Sequence, residues 1–217
     1  TVGATDKYTP MDKTFELNVI KSTQLLLNAA KNNCKKWIII STNKEDKIKK
    51  LIKLKKINKF ETNEPHYNYS VTKYLFTKIC KEVSILSKAK CRILKVFQVY
   101  GADEAKGRLW PLLKNCAKKN KNLNMTSGKQ IYDFIHIDDV VDGLIDCLNF
   151  NKKNKVFPQE WDLASGKSTS VKNFASKIWK NNQAKGKIFF SKIKIFDRDN
   201  YLPNKNNLWK IKSRKFK

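Results

Sequence analysis

Hydrophobic and polar positions in the first half of the chain alternate between helical and strand patterns. Residues 9 to 33 predict a helix with Thr9 as its N-cap and Pro10 in its first position. The run KKWIIIST at 35 to 42 is short, apolar and continuous, which is typical of a strand covered on both faces. The chain therefore starts with a helix that leads into a buried strand.

A second helix and strand repeat this arrangement. Residues 67 to 88 have helical periodicity, and the run CRILKVFQVYG at 91 to 101 predicts a buried strand that ends in a turn at Gly101. Helix, strand, helix and strand at this spacing predict an α/β fold with a parallel sheet wrapped by helices. The stripe that this second helix is expected to bury comprises Val71, Leu75, Ile79, Val83 and Leu86.

The second half of the chain has a less regular pattern. Residues 108 to 120 predict a helix, and QIYDFIHI at 130 to 137 predicts a strand. Asp138 opens a helix that runs to about Asn149. The segment EWDLASGKSTSVKNFASKIW then predicts a strand, a turn at Gly166, a Ser or Thr cap and a helix, and short strands follow in the basic tail.

Composition narrows the class of protein. With 217 residues and 41% apolar content, the chain can bury one good core and a small second lobe. No apolar run reaches the roughly 18 residues of a membrane span, and the first residues have no signal-peptide core. The 5 cysteines are scattered without a C-x-x-C pair, so neither a disulfide framework nor a zinc site is expected. We expect no metal site and a reducing cytoplasm.

The net charge of +27 favours an anionic partner only in part. Lysine and arginine displace counterions from phosphate backbones, but here the lysines lie along the whole chain and arginine is scarce. The densest run, at 43 to 60, alternates lysine with isoleucine and leucine, as an amphipathic helix would. Its charge fits either a solvated lysine face or a surface for an anionic partner.

Three Tyr-x-x-x-Lys pairs occur in the sequence, and about one or two are expected by chance at this lysine content. Ligands of open parallel sheets sit beyond the carboxyl ends of the strands. Ser41 and Thr42 end the first strand, and Tyr69 begins the helix that leads into the next one. This placement selects the first pair as the one positioned for chemistry. The pairs are Tyr69/Lys73, Tyr74/Lys78 and Tyr201/Lys205.

Several segments, in order, resemble the extended short-chain dehydrogenase/reductase family of nucleotide-sugar epimerases, dehydratases and reductases. YSVTK resembles the Tyr-x-x-Ser-Lys box of that family, and the helix and strand before it resemble those that lead to the catalytic Ser or Thr. TSGKQIYDFIHIDDVVDGL and WDLASGKSTSVKNFASKI are similar to two later segments of the family. The wording FQVYG, RLWP and LNMTSGKQ is closest to the branch of CDP-abequose synthase-like reductases.

The resemblance implies a Rossmann-like sheet and chemistry at C4 of a nucleotide-linked hexose, with NAD or NADP as cofactor. Tyr69 would exchange a proton with the C4 oxygen, Thr42 would donate a hydrogen bond to it, and Lys73 would favour the phenolate and bind the nicotinamide ribose. It further implies cofactor-binding roles for Ala4, Asn18, Lys73 and Gln98, and substrate-binding roles for Thr42, Gln98, Arg108 and Tyr132.

The resemblance also predicts the domain organisation. Residues 1 to 105, with 128 to 149 returning, form a partial dinucleotide-binding domain, and residues 106 to 127 and 150 to 217 form a substrate-binding lobe. The family pairs through the helix that carries Tyr69 and its neighbour, so a homodimer is expected. The nucleotide sugar is the expected partner, with no membrane and no nucleic acid.

Departures from the family pattern limit these expectations. The 7 glycines never form the Gly-x-x-Gly-x-x-Gly segment that approaches a pyrophosphate, so we expect an N-terminally truncated enzyme that binds dinucleotide poorly. Tyr132 stands where the family has arginine. Asn43 and Lys44 replace the Asp-Glu of dehydratases, which leaves ketoreduction or epimerisation. The alternative is a catalytically silent Rossmann-like module whose basic surface binds nucleic acid or an acidic partner.

Overall fold

The computed structural model describes residues 9–55, 67–150, 156–191 and 202–211. It divides the chain into two compact units. Unit 1 comprises Thr1–Val96 and Ile145–Asp162, and unit 2 comprises Phe97–Leu144 and Leu163–Lys217. The predicted division into a cofactor domain and a substrate lobe is a statement about function, and it stays a prediction.

Unit 1 is built on parallel strands with helices packed against them. The strand order of its sheet is β1-β2-β6, and β1 pairs with β2 in parallel, so that Thr42 lies opposite Val96. Its core cluster includes Trp37, Phe76 and Ile93. The predicted parallel α/β arrangement is confirmed. The elements are α1 Met11–Phe15, a π-helical segment Glu16–Lys21, α2 Ser22–Lys31, β1 Lys36–Thr42, α3 Glu45–Lys53, α4 Tyr67–Leu86, β2 Lys90–Val96 and β6 Gln159–Leu163.

Unit 2 contains two small sheets and three helices among its described residues. The strand β3 pairs in parallel with β5, β5 pairs antiparallel with β7, and β4 pairs in parallel with β8. The rings of Phe134 and Phe174 stack 3.8 Å apart in its core. The elements are β3 Gln98–Tyr100, α5 Leu109–Lys118, β4 Leu123–Met125, β5 Ile131–His136, α6 Ile137–Cys147, β7 Ser168–Ser170, α7 Val171–Asn181, β8 Ile188–Phe190 and a short 3₁₀ turn Lys205–Asn207. The last three residues of α6 are assigned to unit 1.

Turn chemistry in unit 2 follows the prediction. Gly166 adopts a φ of +76°, a left-handed conformation that glycine takes without steric cost. Ser170 then caps α7, because its Oγ accepts a hydrogen bond from the Asn173 backbone N–H at 3.1 Å. The predicted sequence of strand, turn, cap and helix is therefore confirmed here.

The first helix begins and continues differently from the prediction. Pro10, with φ −55° and ψ 153°, is extended rather than helical, so it is the N-cap and Met11 is the first helical residue. The expectation that Thr9 caps this helix is wrong. The segment Glu16–Lys21 is π-helical, which no feature of the hydrophobic pattern indicated.

The buried face of α4 is also different from the predicted stripe. Leu86 is 83% exposed, and the other four stripe positions are only partly buried. The face that packs inward is mostly polar. Its hydroxyl and charged groups can be buried because they pair with one another and with β1 and α3. Its buried residues are Ser70, Thr72, Lys73, Phe76, Thr77, Cys80 and Ser84.

Two strand predictions need correction. Ile40 is 41% exposed, because α4 packs on the face of β1 that carries Ser41 and leaves the Ile40 side more open. The single strand expected over 91 to 101 is two strands in different sheets, β2 and β3, which are interrupted at Phe97. The Phe97 N–H donates to the Leu163 carbonyl at 3.2 Å, and Gln98 then begins the pairing with β5.

Within the described ranges, none of the helices combines the length and the apolar character needed to cross a bilayer. The lysine-rich run predicted as an amphipathic helix does form one, α3, over Glu45–Lys53. Ile48 on its inner face is 1% exposed, so this helix packs on unit 1 and is not only a solvated face. The part of the run from residue 56 to 60 lies outside the described residues.

Candidate active site

The carboxyl end of β1 carries the first candidate residue, Thr42. Its side chain is buried at 6% exposure. Its hydroxyl oxygen accepts a hydrogen bond from the backbone N–H of Lys44 at 3.4 Å, and the hydroxyl donates to Asn43 Oδ1 at 3.4 Å. The turn after β1 therefore holds the Thr42 hydroxyl at the end of the strand, where parallel sheets place their ligands.

Lys73 reaches from α4 to the same end of β1. It is buried at 7% exposure, and its ammonium donates to the Ile40 carbonyl at 2.9 Å, two residues before Thr42. An ammonium has three N–H donors, so this anchor uses one of them. Burial lowers the pKa of Lys73, and the carboxylate of Glu45 opposes that change.

Tyr69 lies one helical turn before Lys73 in the first turn of α4. Residues four apart on a helix share a face, with about 5–6 Å between their Cβ atoms. The Tyr69 ring is half-buried, and the Lys44 ammonium sits 5.7 Å from its centre. Lys44 also contacts Thr42, but through its backbone N–H rather than its ammonium. Convergence of the Tyr69 and Thr42 hydroxyls on one oxygen stays a prediction.

Asn18 connects the π-helical segment to α4. It is 2% exposed, and its side-chain amide donates to the Thr72 hydroxyl at 3.0 Å. Thr72, the residue before Lys73, donates in turn to the Asn68 carbonyl at 2.7 Å. π-helical turns occur frequently at functional sites, and this one directs an amide at the backbone turn that carries Tyr69. In this structure, Asn18 therefore holds the turn of α4 around the candidate residues.

The sequence interpretation missed Glu45, a fully buried carboxylate in the first turn of α3. It accepts hydrogen bonds from the hydroxyls of Ser41 and Thr77, the latter at 2.7 Å. Burial raises its pKa to about 7, against the hydrogen bond from Thr77 and the nearby charges of Lys49 and Lys73. Glu45 and Asp46 are the acidic residues in an otherwise lysine-rich run, and that contrast was the signal that could have identified them.

The candidate residues Gln98, Arg108 and Tyr132 belong to unit 2. Gln98 is half-buried in β3, and Tyr132 is half-buried in β5, where its ring meets Phe134 edge-on at 6.0 Å. Arg108 is exposed just before α5, and its Nε donates to Glu104 at 3.0 Å. Ala4, the remaining candidate for cofactor binding, lies outside the described residues.

The described residues fit the nicotinamide end of a dinucleotide. The buried ammonium of Lys73 at the carboxyl end of a parallel strand can donate to ribose hydroxyls, and the phenol of Tyr69 stands on the same helix face. The glycine-rich segment that would receive a pyrophosphate does not occur in these 217 residues.

Two curated relatives are CDP-abequose synthases, the branch that the sequence resembles. The CDP-abequose synthase of Salmonella muenchen is 26% identical over 198 residues, which cover 87% of this chain and 60% of that protein. The CDP-abequose synthase of Salmonella typhimurium is 28% identical over 107 residues, which cover 49% and 36%. The chain thus spans 36% to 60% of the length of these two relatives.

Solved structures share the fold at lower identity. UDP-glucose 4-epimerase from Thermotoga maritima, solved with UDP-glucose, has a TM-score of 0.71 and 16% identity, covering 95% of this chain and 67% of that one. UDP-glucuronic acid 4-epimerase from Bacillus cereus, solved with NAD, has a TM-score of 0.64 and 20% identity, covering 84% and 58%. These likenesses confirm the Rossmann-like α/β fold.

The family assignment rests on a match over most of the chain. The model of the NAD dependent epimerase/dehydratase family matches residues 3–158, which include β1, α4 and the strands β2 to β5. The predicted resemblance to this group of nucleotide-sugar enzymes is thereby confirmed, and the silent nucleic-acid-binding module is not favoured. The chain belongs to the NAD dependent epimerase/dehydratase family.

Proposed function

We propose that this chain carries the catalytic residues of an NAD(P)-dependent reductase or epimerase acting at C4 of a nucleotide-linked hexose. The observation that carries the proposal is the anchoring of Lys73 on the Ile40 carbonyl, which fixes the helix turn of Tyr69 at the carboxyl end of β1. Family membership and relatives that act on nucleotide sugars support the substrate class.

Each residue has a distinct role in this proposal. The Tyr69 hydroxyl gives a proton to the C4 oxygen or takes one from it. The Lys73 ammonium, one turn away on the same face, favours the phenolate form that accepts the proton. The Thr42 hydroxyl donates to the same oxygen and orients it. The bound dinucleotide supplies or accepts the hydride.

Substrate recognition is assigned to unit 2. A guanidinium can pair with a diphosphate through two parallel N–H donors, which suits Arg108 to the nucleotide-sugar diphosphate. We assign Gln98 and Tyr132 to hydrogen bonding and stacking with the same substrate. Reduction or epimerisation is preferred over dehydration, because Asn43 and Lys44 follow Thr42 where an acid and a base would be needed.

The test is a Tyr69→Phe substitution in the complete protein that its gene encodes. Turnover of UDP- and CDP-linked hexoses and 4-ketohexoses is followed by nicotinamide absorbance with NAD, NADH and NADPH. Loss of a general acid–base group lowers kcat about 100-fold or more, while cofactor binding, measured by fluorescence, is retained. Turnover at the wild-type rate in Tyr69→Phe would remove the proposal.

Tyr74→Phe is the matched control. Tyr74 belongs to the neighbouring Tyr-x-x-x-Lys pair on the same helix, with the Lys78 ammonium 5.7 Å from its ring. It is five residues from Tyr69, about 140° around the helix at 3.6 residues per turn. We therefore expect Tyr74→Phe to keep wild-type kcat. An equal loss in both variants would show that the effect is structural.

A further inference from the structure

Glu45 and Lys73 are a buried acid and a buried base enclosed by the same two elements. Glu45 accepts from Ser41 on β1 and from Thr77 on α4, while Lys73 donates to Ile40 on β1. Ile40 and Ser41 are adjacent, and Lys73 and Thr77 are one helical turn apart. The carboxylate and the ammonium therefore lie between the same turn of α4 and the same end of β1, and each acts on the charge of the other.

Burial of the Glu45 carboxyl costs folding free energy, and a role in keeping Lys73 charged would explain why it lies there. Its side chain is fully buried, and among the residues that the structure describes Oε2 accepts no hydrogen bond, with the Lys49 ammonium 4.0 Å away. The first turn of α3 offsets part of that cost, because a helix N-terminus favours negative charge. Other titratable groups also act on this pair. They are Lys49 from α3, Cys80 from α4 and Glu160 from β6.

We propose that Glu45 is a positioning residue for the active site, a buried carboxylate that keeps the Lys73 ammonium charged one helical turn from Tyr69. This inference rests on the proposed function. It adds to that function a residue that acts through Lys73 and touches neither cofactor nor substrate.

The proposal predicts the direction in which the deprotonation of Lys73 moves when the charge of Glu45 is removed. Burial alone favours neutral Lys73, and an ionised carboxylate nearby favours the ammonium. Removing the charge of Glu45 therefore moves the deprotonation of Lys73 to lower pH. In the complete enzyme, the alkaline limb of the kcat profile moves to lower pH in the same variant, because a neutral amine no longer favours the Tyr69 phenolate.

The test is an NMR titration of Lys73 that needs neither substrate nor turnover. The chain is labelled with ¹³C-lysine, and the Cε resonance of Lys73 is identified by its loss in Lys73→Arg. In Glu45→Gln, which keeps the shape of the side chain, the titration midpoint of Lys73 moves to lower pH than in wild type. Superimposable titration curves would overturn the proposal.

Two further variants separate Glu45 from its surroundings. Asp46→Asn removes the neighbouring carboxylate on the same helix, which contacts Lys95 and Lys49, and we expect it to leave the Lys73 titration unchanged. Thr77→Val removes the hydroxyl that stabilises ionised Glu45, so the Glu45 carboxyl resonance should titrate at higher pH. An Asp46→Asn shift as large as that of Glu45→Gln would show a general field effect and overturn the assignment.

The outcome is distinguishable from failure of the proposed function. If Tyr69→Phe keeps wild-type turnover while Glu45→Gln still shifts Lys73, the coupling exists but the catalytic assignment is wrong. If Tyr69→Phe is inactive while the Lys73 titration and the alkaline limb are unchanged in Glu45→Gln, the proposed function stands and the positioning role falls.

Discussion

Arg92 is a fully buried cation in β2 whose guanidinium is paired within the protein. Its guanidinium donates to the carbonyls of Cys147 and Asn149 at 2.7 and 3.0 Å, and its Nε donates to Gln159 at 3.0 Å. The ring of Phe150 lies 4.7 Å from the guanidinium carbon, a distance typical of cation–π contact. One side chain therefore joins β2, β6 and the end of α6.

We predict that Arg92→Leu destabilises the chain by roughly 3 kcal/mol or more, because hydrogen bonds to charged groups contribute about 1.5–3 kcal/mol each and the buried acceptors are left unpaired. Urea unfolding measures the change. Arg108→Leu is the control, since Arg108 has a side chain 51% exposed and pairs with Glu104, four residues earlier in the chain. We expect about 0.5 kcal/mol or less for that surface pair. Equal losses would contradict the assigned role of Arg92.

At the scale of elements, ion pairs in which one side chain contacts two oppositely charged partners hold α3 in place. Glu160 on β6 pairs with Lys49 of α3 at 2.8 Å and also with Lys81 of α4. Lys95 of β2 contacts both Asp46 of α3 and Asp162 of β6 at 2.9 Å. These ion pairs fix the lysine-rich helix to the sheet beside the candidate site.

We predict that Glu160→Gln lowers stability in a pH-dependent way. Burial alone raises the pKa of Glu160, but hydrogen bonds and charge from Lys49 and Lys81 outweigh burial and lower it from 4.5 to about 2. A carboxyl with a lowered folded-state pKa stabilises the fold above its unfolded value and loses that contribution as pH falls through the folded value. The variant should lose about 3 kcal/mol at neutral pH, by urea unfolding.

The loss should shrink steadily as pH falls from 4.5 toward 2, the interval over which the wild type loses the contribution. Unfolding curves at several pH values check this trend at constant ionic strength. A loss that stays constant between neutral and acid pH would show that Glu160 acts through packing and not through its charge.

Comparison of α4 with β1 shows which elements could be predicted from the sequence. The strand β1 and its parallel partner were correctly expected, because a continuous apolar run has few alternatives to a buried strand. The predicted face of α4 is wrong, because hydrophobic periodicity takes only aliphatic positions as buried. Lys73 and Thr77 are buried because they hydrogen-bond to Ile40 and Glu45. Tyr69 and Lys73 could be selected by strand order, but Glu45 acquires its role only from the packing of α3 on α4.

At the scale of the whole molecule, the predicted homodimer needs an apolar surface beside α4. The π-helical segment and α2 carry exposed apolar side chains, Ile20 at 46%, Leu25 at 62% and Leu27 at 43%. Large exposed apolar side chains on adjoining segments provide surface for binding another protein. A second copy of the chain is the partner that the family resemblance implies.

We predict that Leu25→Lys converts the dimer of the complete protein to a monomer, as measured by sedimentation velocity. The lysine would place a charge in an apolar interface, where burying it unpaired is unfavourable. Leu148→Lys is the control, because Leu148 is 64% exposed and lies after α6, outside those helices. Dimer retained by Leu25→Lys, or a wild-type monomer, would contradict this interface.

Basic residues outnumber acidic ones in this chain, so an interior acid such as Glu160 is shared between two lysines. The chain has 46 basic residues and 19 acidic ones, so most lysines can be replaced without leaving a carboxylate alone. Glu160 is the opposite case, because its loss removes a counter-charge from cations on two helices at once. Tolerance to substitution should therefore be asymmetric by sign, permissive at lysines and strict at the few interior acids.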